Sequence, residues 1–372
     1  MKGSSIELKK INRNNIYQLV YTEERISKAE IAKRLDISFP TVTQNLRELM
    51  EEGLVMEKGS FESTGGRKAK GICVDSDARK ALGIDITKNH ISAVLVNLKG
   101  DITHYRRMRV PFEDTDEYYE KLGGLARELL LESGIEKEKI LGAGISVPAI
   151  VSANRKDIDF VVLADIPRDF HAKITAHIPF PCAICNDSNA GGFAEQWRSR
   201  QKGSMIYLSL SNTVGGAVVS GHRIVSGDNQ RCGEFGHMLL VPGGRPCYCG
   251  KKGCVDAYCA AHLLSDETGG NLAAFFEHLD AGEKAFAVVW EEYLEHLSVA
   301  IHNIRMCFDY EIVLGGYLGQ YIEPRMGHLR RLLQEKNMFE EKADYVRACH
   351  YTMEAAAVGS ALYYIEPFIK SI

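Results

Sequence analysis

The chain has 372 residues, 45% of them apolar, and its 45 basic and 49 acidic side chains leave a net charge of −4. That size excludes a small disulfide-braced scaffold and suggests two or three domains with a sizeable core. No run of eighteen apolar residues offers a membrane span, and the opening "MKGSSIELKKINRNN" lacks the apolar stretch of a signal peptide. The expectation is a cytoplasmic protein without membrane contact, in whose reducing surroundings clustered thiols point to metal ligation more than to disulfides. The charge is uneven: residues 1–70 carry 13 basic and 10 acidic groups, an excess of +3, which leaves −7 for the remainder. Only the N-terminal part tolerates a polyanion.

In chain order, "NRNNIYQLVYT" predicts a helix with Ile16, Leu19 and Val20 facing inward. Ser27 followed by Glu30 is a capping box opening a short helix with Ile31 and Leu35 on its apolar face. Asp36 to Ser38 interrupt it, and Ser38 can cap the next helix. There Val42, Leu46 and Leu49 recur at helical spacing, so Thr41, Thr43, Gln44 and Arg47 project away from the core. Two helices joined by so short a turn predict a helix-turn-helix. The outward groups suit base edges: Gln pairs with adenine, Arg with guanine or phosphate, and Thr methyls meet thymine methyls. "LVMEK" and "KGICVD" read as the strands of a wing around "GSFESTGGRKA", where Arg67 and Lys68 follow Gly65 and Gly66 and could enter a minor groove. The alternatives are a helical hairpin for protein contact and a basic linker.

From about Cys73 the texture changes, which sets the expected division at residues 1–72 and 73–372. "KALGIDITKNHISAVLVNLKGDITHYRRMRV" predicts three consecutive strands, "EYYEKLGGLARELLLESG" an amphipathic helix and "ILGAGISVPAIV" a buried strand. A helix pattern near Ala190 to Arg198 precedes renewed strand texture in "SMIYLSLSNTVGGAVVSGHRIV". This is a mixed α/β architecture, and the recurrence suggests two related lobes with a ligand cleft between them. "ALYYIEPFI" near the C-terminus could be a dimer contact or core.

"CYCGKKGCVDAYC" holds four cysteines, and His237 stands ten residues before it. His237, Cys247, Cys249 and Cys254 supply one imidazole and three thiolates, a donor set suited to one closed, structural, tetrahedral zinc ion per chain. A disulfide between Cys247 and Cys249 would be strained by its short ring. Cys232, Cys259 and Cys307 read as small buried hydrophobes, and Cys182 and Cys185 as core.

"GEFGHM", "CYCGKKGC", "NDSNAGGFAE" and "STGGRK" together resemble the ROK family, which groups sugar-responsive repressors with sugar kinases on an actin-like, ribonuclease-H-related fold of two lobes. The resemblance spans nearly the whole chain, and the N-terminal winged helix places it with the repressors. It implies that Asn186, Asp187 and Glu234 contact a sugar, that His237 binds zinc while bordering the sugar, and that Asp256 stands where the family usually has a longer Glu. The family's first phosphate loop is similar to "DITKNH" at Asp85 to His90, but both glycines are gone; the second, at Ser211 to Ala217, keeps only Gly215 and Gly216. The expectation is therefore not an enzyme but a repressor that binds operator DNA as a homodimer or higher homo-oligomer and answers to a sugar or sugar derivative. The rival is an ATP-dependent sugar kinase with a DNA-binding appendage; a third class is a zinc-stabilised interaction module. Without the family, carboxylates and an amide converging in a cleft suit a polyhydroxylated ligand, since each can bridge adjacent hydroxyls.

Overall fold

The computed structural model describes residues 5–61, 69–161, 166–199, 203–351 and 353–372. The N-terminal unit comprises α1 (Ser5–Thr22), β1 (Ile26–Ser27), α2 (Lys28–Leu35), α3 (Phe39–Glu51), β2 (Val55–Ser60) and β3 (Lys70–Val74). Local chemistry sets its boundaries. The Ser27 hydroxyl accepts from the Glu30 amide at the start of α2, Asp36 ends that helix in the left-handed region at φ 53°, and Ser38 caps α3. Ile31, Val42, Leu46 and Leu49 are buried against Ile16, Tyr17 and Val20 of α1, so the predicted three-helix core is present. Helix α1 begins well before the sequence pattern suggested. The wing strands pair antiparallel, with β1 completing a sheet of order β1-β3-β2.

The rest of the chain repeats one sheet twice. The first lobe holds β4 (Lys80–Ile86), β5 (His90–Asn97), β6 (Ile102–Arg109), α4 (Asp116–Ser133), β7 (Ile140–Val147), β8 (Ile150–Val151), β9 (Ile158–Phe160), α5 (Phe170–His177) and β10 (Cys182–Asn186). Helix α6 (Asp187–Ser199) leads to the second lobe: β11 (Met205–Leu210), β12 (Val214–Ser220), β13 (Arg223–Val225), α7 (Asp256–Cys259), α8 (His262–Ser265), α9 (Leu272–Asp280), α10 (Lys284–Phe308), β14 (Glu311–Gly315), α11 (Gly319–Ile322), α12 (Met326–Lys336) and β15 (Val346–Ala348). Helix α13 (Ala355–Ser371) returns to the first lobe.

The sheet orders are β10-β7-β4-β5-β6 and β13-β12-β11-β14-β15. In each, an antiparallel three-strand meander supplies the first strand, onto which two later strands add in parallel. The predicted recurrence is thus one topology used twice. Helices α6 and α13 pack on each other at a separation only glycine permits: a Cβ on Gly359 would lie 1.7 Å from the Ala190 carbonyl oxygen. The strand below is equally close, since a Cβ on Gly144 would lie 1.9 Å from the Ser360 carbonyl oxygen, which explains the glycine in the middle of "GAGIS".

One open reading is decided and one expectation needs correction. "ALYYIEPFI" is core, because Ala361, Leu362 and Ile365 are buried in α13 against β4 and β7. Cys307 is exposed and Cys232 half-buried. The buried stripe of α10 runs through Leu297, Ile301 and Ile304, and Cys307 falls on the solvent side of its end. Cys182, Cys185 and Cys259 are buried as expected. Among the described residues no helix is long and apolar enough to cross a membrane.

Candidate effector cleft, metal centre and nucleic-acid interface

Helix α3 presents the predicted outward groups, each with a local partner. Thr41 meets the Ser38 hydroxyl at 2.8 Å, and the Thr43 hydroxyl donates to the Phe39 carbonyl at 2.9 Å. Gln44 is exposed and its Nε2 donates to Glu48 at 2.8 Å; Arg47 is exposed and lies 3.7 Å from Glu51. The carboxylate of Glu48 also pairs with Lys9 of α1 at 2.8 Å, which holds its pKa below the usual range. Gln44 and Arg47 must leave these acids to reach a base edge. Arg67 and Lys68 lie outside the described residues.

The cleft is built at the junction of β10 and α6. Asn186 ends the strand and caps the helix: its Oδ1 accepts from the Asn189 amide at 2.9 Å while its Nδ2 donates to the Ala149 carbonyl at 3.1 Å. Asp187 opens α6, with Oδ1 accepting from the Ser188 amide at 2.7 Å. Burial, and then the charge of Asp85, push the Asp187 carboxyl up to about 7, and Glu234 adds in the same sense. Asp85 is itself pushed up to about 6 by burial, against a 2.7 Å hydrogen bond from the Ser146 hydroxyl and the nearby Arg107. Glu234 stays accessible at the mouth, yet the protein packed behind it raises its carboxyl, with His237 opposing. Asp256 is buried, and its Oδ1 accepts from the Val214 amide at 2.6 Å, so the shorter acid supports the start of β12. Asp187 feels the charges of Asp85 and Glu234, and Glu234 and Asp256 each feel His237; Asn186 adjoins Asp187 but turns its side chain to the Ala149 carbonyl and the Asn189 amide, and Asp85 joins the acids unforeseen.

The metal motif folds into a knuckle. A single 3-10 turn, Phe235–His237, delivers the imidazole, and isolated bridges Leu239↔Cys254 and Pro246↔Lys252 bring the thiols to it. Gly250 and Gly253 take φ of 82° and 84°, left-handed values that let the chain turn between the last two thiols. One donor atom from each of His237, Cys247, Cys249 and Cys254 lies within 4.8 Å of the others, a group that could hold a metal ion. The Cys249 and Cys254 sulfurs are 3.8 Å apart, and His237 Nδ1 is 4.0 Å from the Cys247 sulfur. Tetrahedral zinc with bonds of about 2.3 Å to sulfur sets its thiolates about 3.8 Å apart, so the donor set fits in type, number and spacing. Tyr248, between two of the cysteines, places its hydroxyl 3.2 Å from His237 Nε2 and so fixes the ring from the opposite side.

On the other half of the cleft, "DITKNH" is a tight turn between β4 and β5, closed by the Thr87 amide on the His90 carbonyl at 2.9 Å. Tyr317, in the turn after β14, reaches across to the Thr87 hydroxyl and lies with its ring 5.9 Å below the Arg107 guanidinium. Side chains thus occupy the space between the two loops where glycine amides would cradle phosphates.

These features match known proteins over most of the chain. Residues 10–56 match the winged helix-turn-helix DNA-binding family model and residues 81–366 the ROK family model. A xylose repressor of Caldicellulosiruptor bescii is 28% identical over 272 residues, covering 70% of this chain and 67% of its own. A ROK family transcriptional regulator, homologous to the Escherichia coli MLC protein, superposes with a TM-score of 0.74 at 19% identity over 98% of this chain and 97% of its own. The ROK hexokinase of Thermus thermophilus gives 0.62 at 25% identity, covering 78% of this chain and 99% of its own. With a family model spanning both lobes and the sheet order repeated in each, the chain belongs to the ROK family.

Proposed function

We propose that the protein is a transcriptional repressor whose operator affinity is set by a sugar or sugar derivative held between the lobes. In this reading residues 1–72 form the DNA-binding part and residues 73–372 the effector part. Asn186, Asp187 and Glu234 bind sugar hydroxyls, His237 borders the sugar, and Asp256 steadies the strand behind it. A zinc ion on His237, Cys247, Cys249 and Cys254 would neutralise the thiolates and hold the Glu234 loop in place. The carrying observation is the pairing, in one chain, of a winged helix with a cleft rich in carboxylates on its sugar side and crossed by Tyr317 on its phosphate side. That second feature favours sensing over phosphoryl transfer. Coverage of similar repressors and of a hexokinase shows the architecture serving both.

Binding is expected to involve two half-sites read by a homodimer or higher homo-oligomer, with strong salt dependence from counterion release. The test is a titration of the full chain with an operator duplex selected from a random library, in the presence and absence of D-xylose and a panel of other aldoses. A sugar that changes operator affinity about 5- to 150-fold supports the reading, the range of a coupling of about 1 to 3 kcal/mol. No effect of any sugar, together with sugar phosphate formed from ATP in an Asp187-dependent manner, would restore the kinase. In the same assay Gln44→Ala is expected to lose about 1 to 3 kcal/mol on the selected duplex and less on random DNA. Equal loss on both would remove Gln44 from base reading.

A further inference from the structure

Helix α6 connects the cleft to the DNA-binding unit. Its first residue is Asp187, and ten residues on, at about 1.5 Å per residue or roughly 15 Å, Trp197 emerges at its other end. The Trp197 ring stands edge-on to Tyr21 of α1, centroids 6.3 Å apart at 70°, and its Nε1 donates to the Lys99 carbonyl at 3.2 Å. Lys99 turns back onto the same tyrosine: its ammonium donates to the Tyr21 carbonyl and lies 4.3 Å from the ring centroid. The Tyr21 hydroxyl donates to the Leu98 carbonyl at 2.7 Å. The turn between β5 and β6 is shaped for this joint, because Gly100 sits at φ 86° and a Cβ there would lie 2.7 Å from the indole.

Elsewhere α6 is gripped by both lobes. Cβ atoms on Gly191 and Gly192 would meet Tyr207 at 2.8 Å and Ala217 at 2.7 Å in the second sheet. Glu195 is fully buried, paired with Arg347 at 3.2 Å and with the His350 ring at 2.9 Å, on the segment that leads into α13. A helix held so closely moves as a body, and Trp197 is where its far end meets α1. From Tyr21, α1 continues to the reading helix: Arg13 forms a two-pronged pair with Glu52 at 2.7 and 2.6 Å, and Lys9 holds the Glu48 carboxylate that also holds Gln44.

We propose that Trp197 is the positioning residue that sets α1, and through α1 the reading helix α3, against the effector cleft, so that a ligand at Asp187 alters operator affinity by shifting the end of α6 beneath Tyr21. The inference rests on the sugar-responsive repressor reading. Trp197→Phe keeps an apolar ring but loses the bond to Lys99. In the full chain it is expected to hold operator affinity without sugar, and D-xylose affinity measured by calorimetry, each within about threefold, while the sugar-dependent change in operator affinity falls at least about fivefold, the scale of ordinary coupling. Tyr21→Leu should reproduce the effect from the other side. An unchanged ratio, or a loss of sugar affinity equal to the loss of response, would overturn the proposal.

A second measurement needs no sugar. Linkage is reciprocal, so operator binding must disturb the same joint. The chain has two tryptophans, and Trp290→Phe leaves Trp197 as the sole indole. Its emission is expected to shift when the selected operator duplex saturates the protein. If wild-type operator affinity ignores D-xylose and every other aldose yet this shift occurs, the sugar reading fails and the joint stands. Emission unmoved at saturation overturns the joint itself.

Discussion

Protein purified without added metal is expected to carry one zinc ion per chain, and removing it is expected to reduce sugar affinity more than tenfold while operator affinity changes by less than about threefold. Three thiolates and an imidazole leave no open coordination position, so the ion acts through structure. The knuckle from His237 to Cys254 has two isolated bridges and no regular strand or helix after its 3-10 turn; Cys247 and Cys254 lean on the second lobe's core, while Leu239 is 60% exposed. Structural zinc in small modules binds with about 10 to 16 kcal/mol, far more than those bridges can replace. The first consequence of loss is a loose Glu234, three residues before the imidazole ligand. Elemental analysis, followed by calorimetry on the chelated protein and on Cys249→Ser, reads both parts. Metal-free protein with undiminished sugar affinity would separate the motif from the effector site. The N-terminal unit shares no contact with the knuckle among the described cores, which is why DNA binding should persist longest.

Asp187→Ala is expected to remove about 1.5 to 3 kcal/mol of sugar affinity, the range for hydrogen bonds involving a charged group, and to leave a repressor the sugar cannot release. The same residue predicts a pH profile. Its carboxyl sits at about 7, so it is mostly protonated at pH 6 and mostly ionised at pH 8. If the ionised form accepts the sugar hydroxyls, affinity rises about tenfold across that interval and levels off above it. Asp187→Asn should flatten the profile, and a wild-type profile already flat would remove the carboxylate from the contact. Stability runs the opposite way. A carboxyl raised above its unfolded value binds more protons when folded, so its contribution to stability is present below about 4 and declines as pH rises towards about 7. Asp85, raised to about 6, adds a decline ending one unit lower. The empty cleft is thus least comfortable where the sugar binds best, and ligand stabilisation measured by thermal shift should grow from pH 6 to 8.

The sequence carried the parts of this molecule whose cause is local. Ser27 and Ser38 cap helices by accepting from amides three residues on, and the near-continuous apolar run of β4 and β5 reflects strands buried on both faces of the first sheet. The metal motif is readable because ligand types and turn glycines lie within eighteen residues of each other. What escaped is tertiary. Asp85 is one acid at a strand end until folding sets Ser146 against it and Asp187 nearby. Tyr317 lies in a glycine-flanked turn far from Thr87 in sequence, and only the second lobe's placement brings its ring to Thr87 and Arg107. Tyr248 is hidden between two cysteines that claimed the reading. Cys307 failed for a different reason: composition says that cysteines are buried, whereas a helix face is decided by one residue of phase.

The hydrophobic cluster around α1 does not stop at the wing. Ile16, Tyr17 and Val20 pack in the same continuous body as Val96 and Leu98 of the first lobe and Ile365, Ile369 and Ile372 at the end of α13. A fragment ending after the wing would leave Ile16, Tyr17 and Val20 without these partners. Isolated residues 1–72 should aggregate or remain partly unfolded where the intact chain is well behaved. The folding of the first helix is thus tied to a helix more than 300 residues away along the chain.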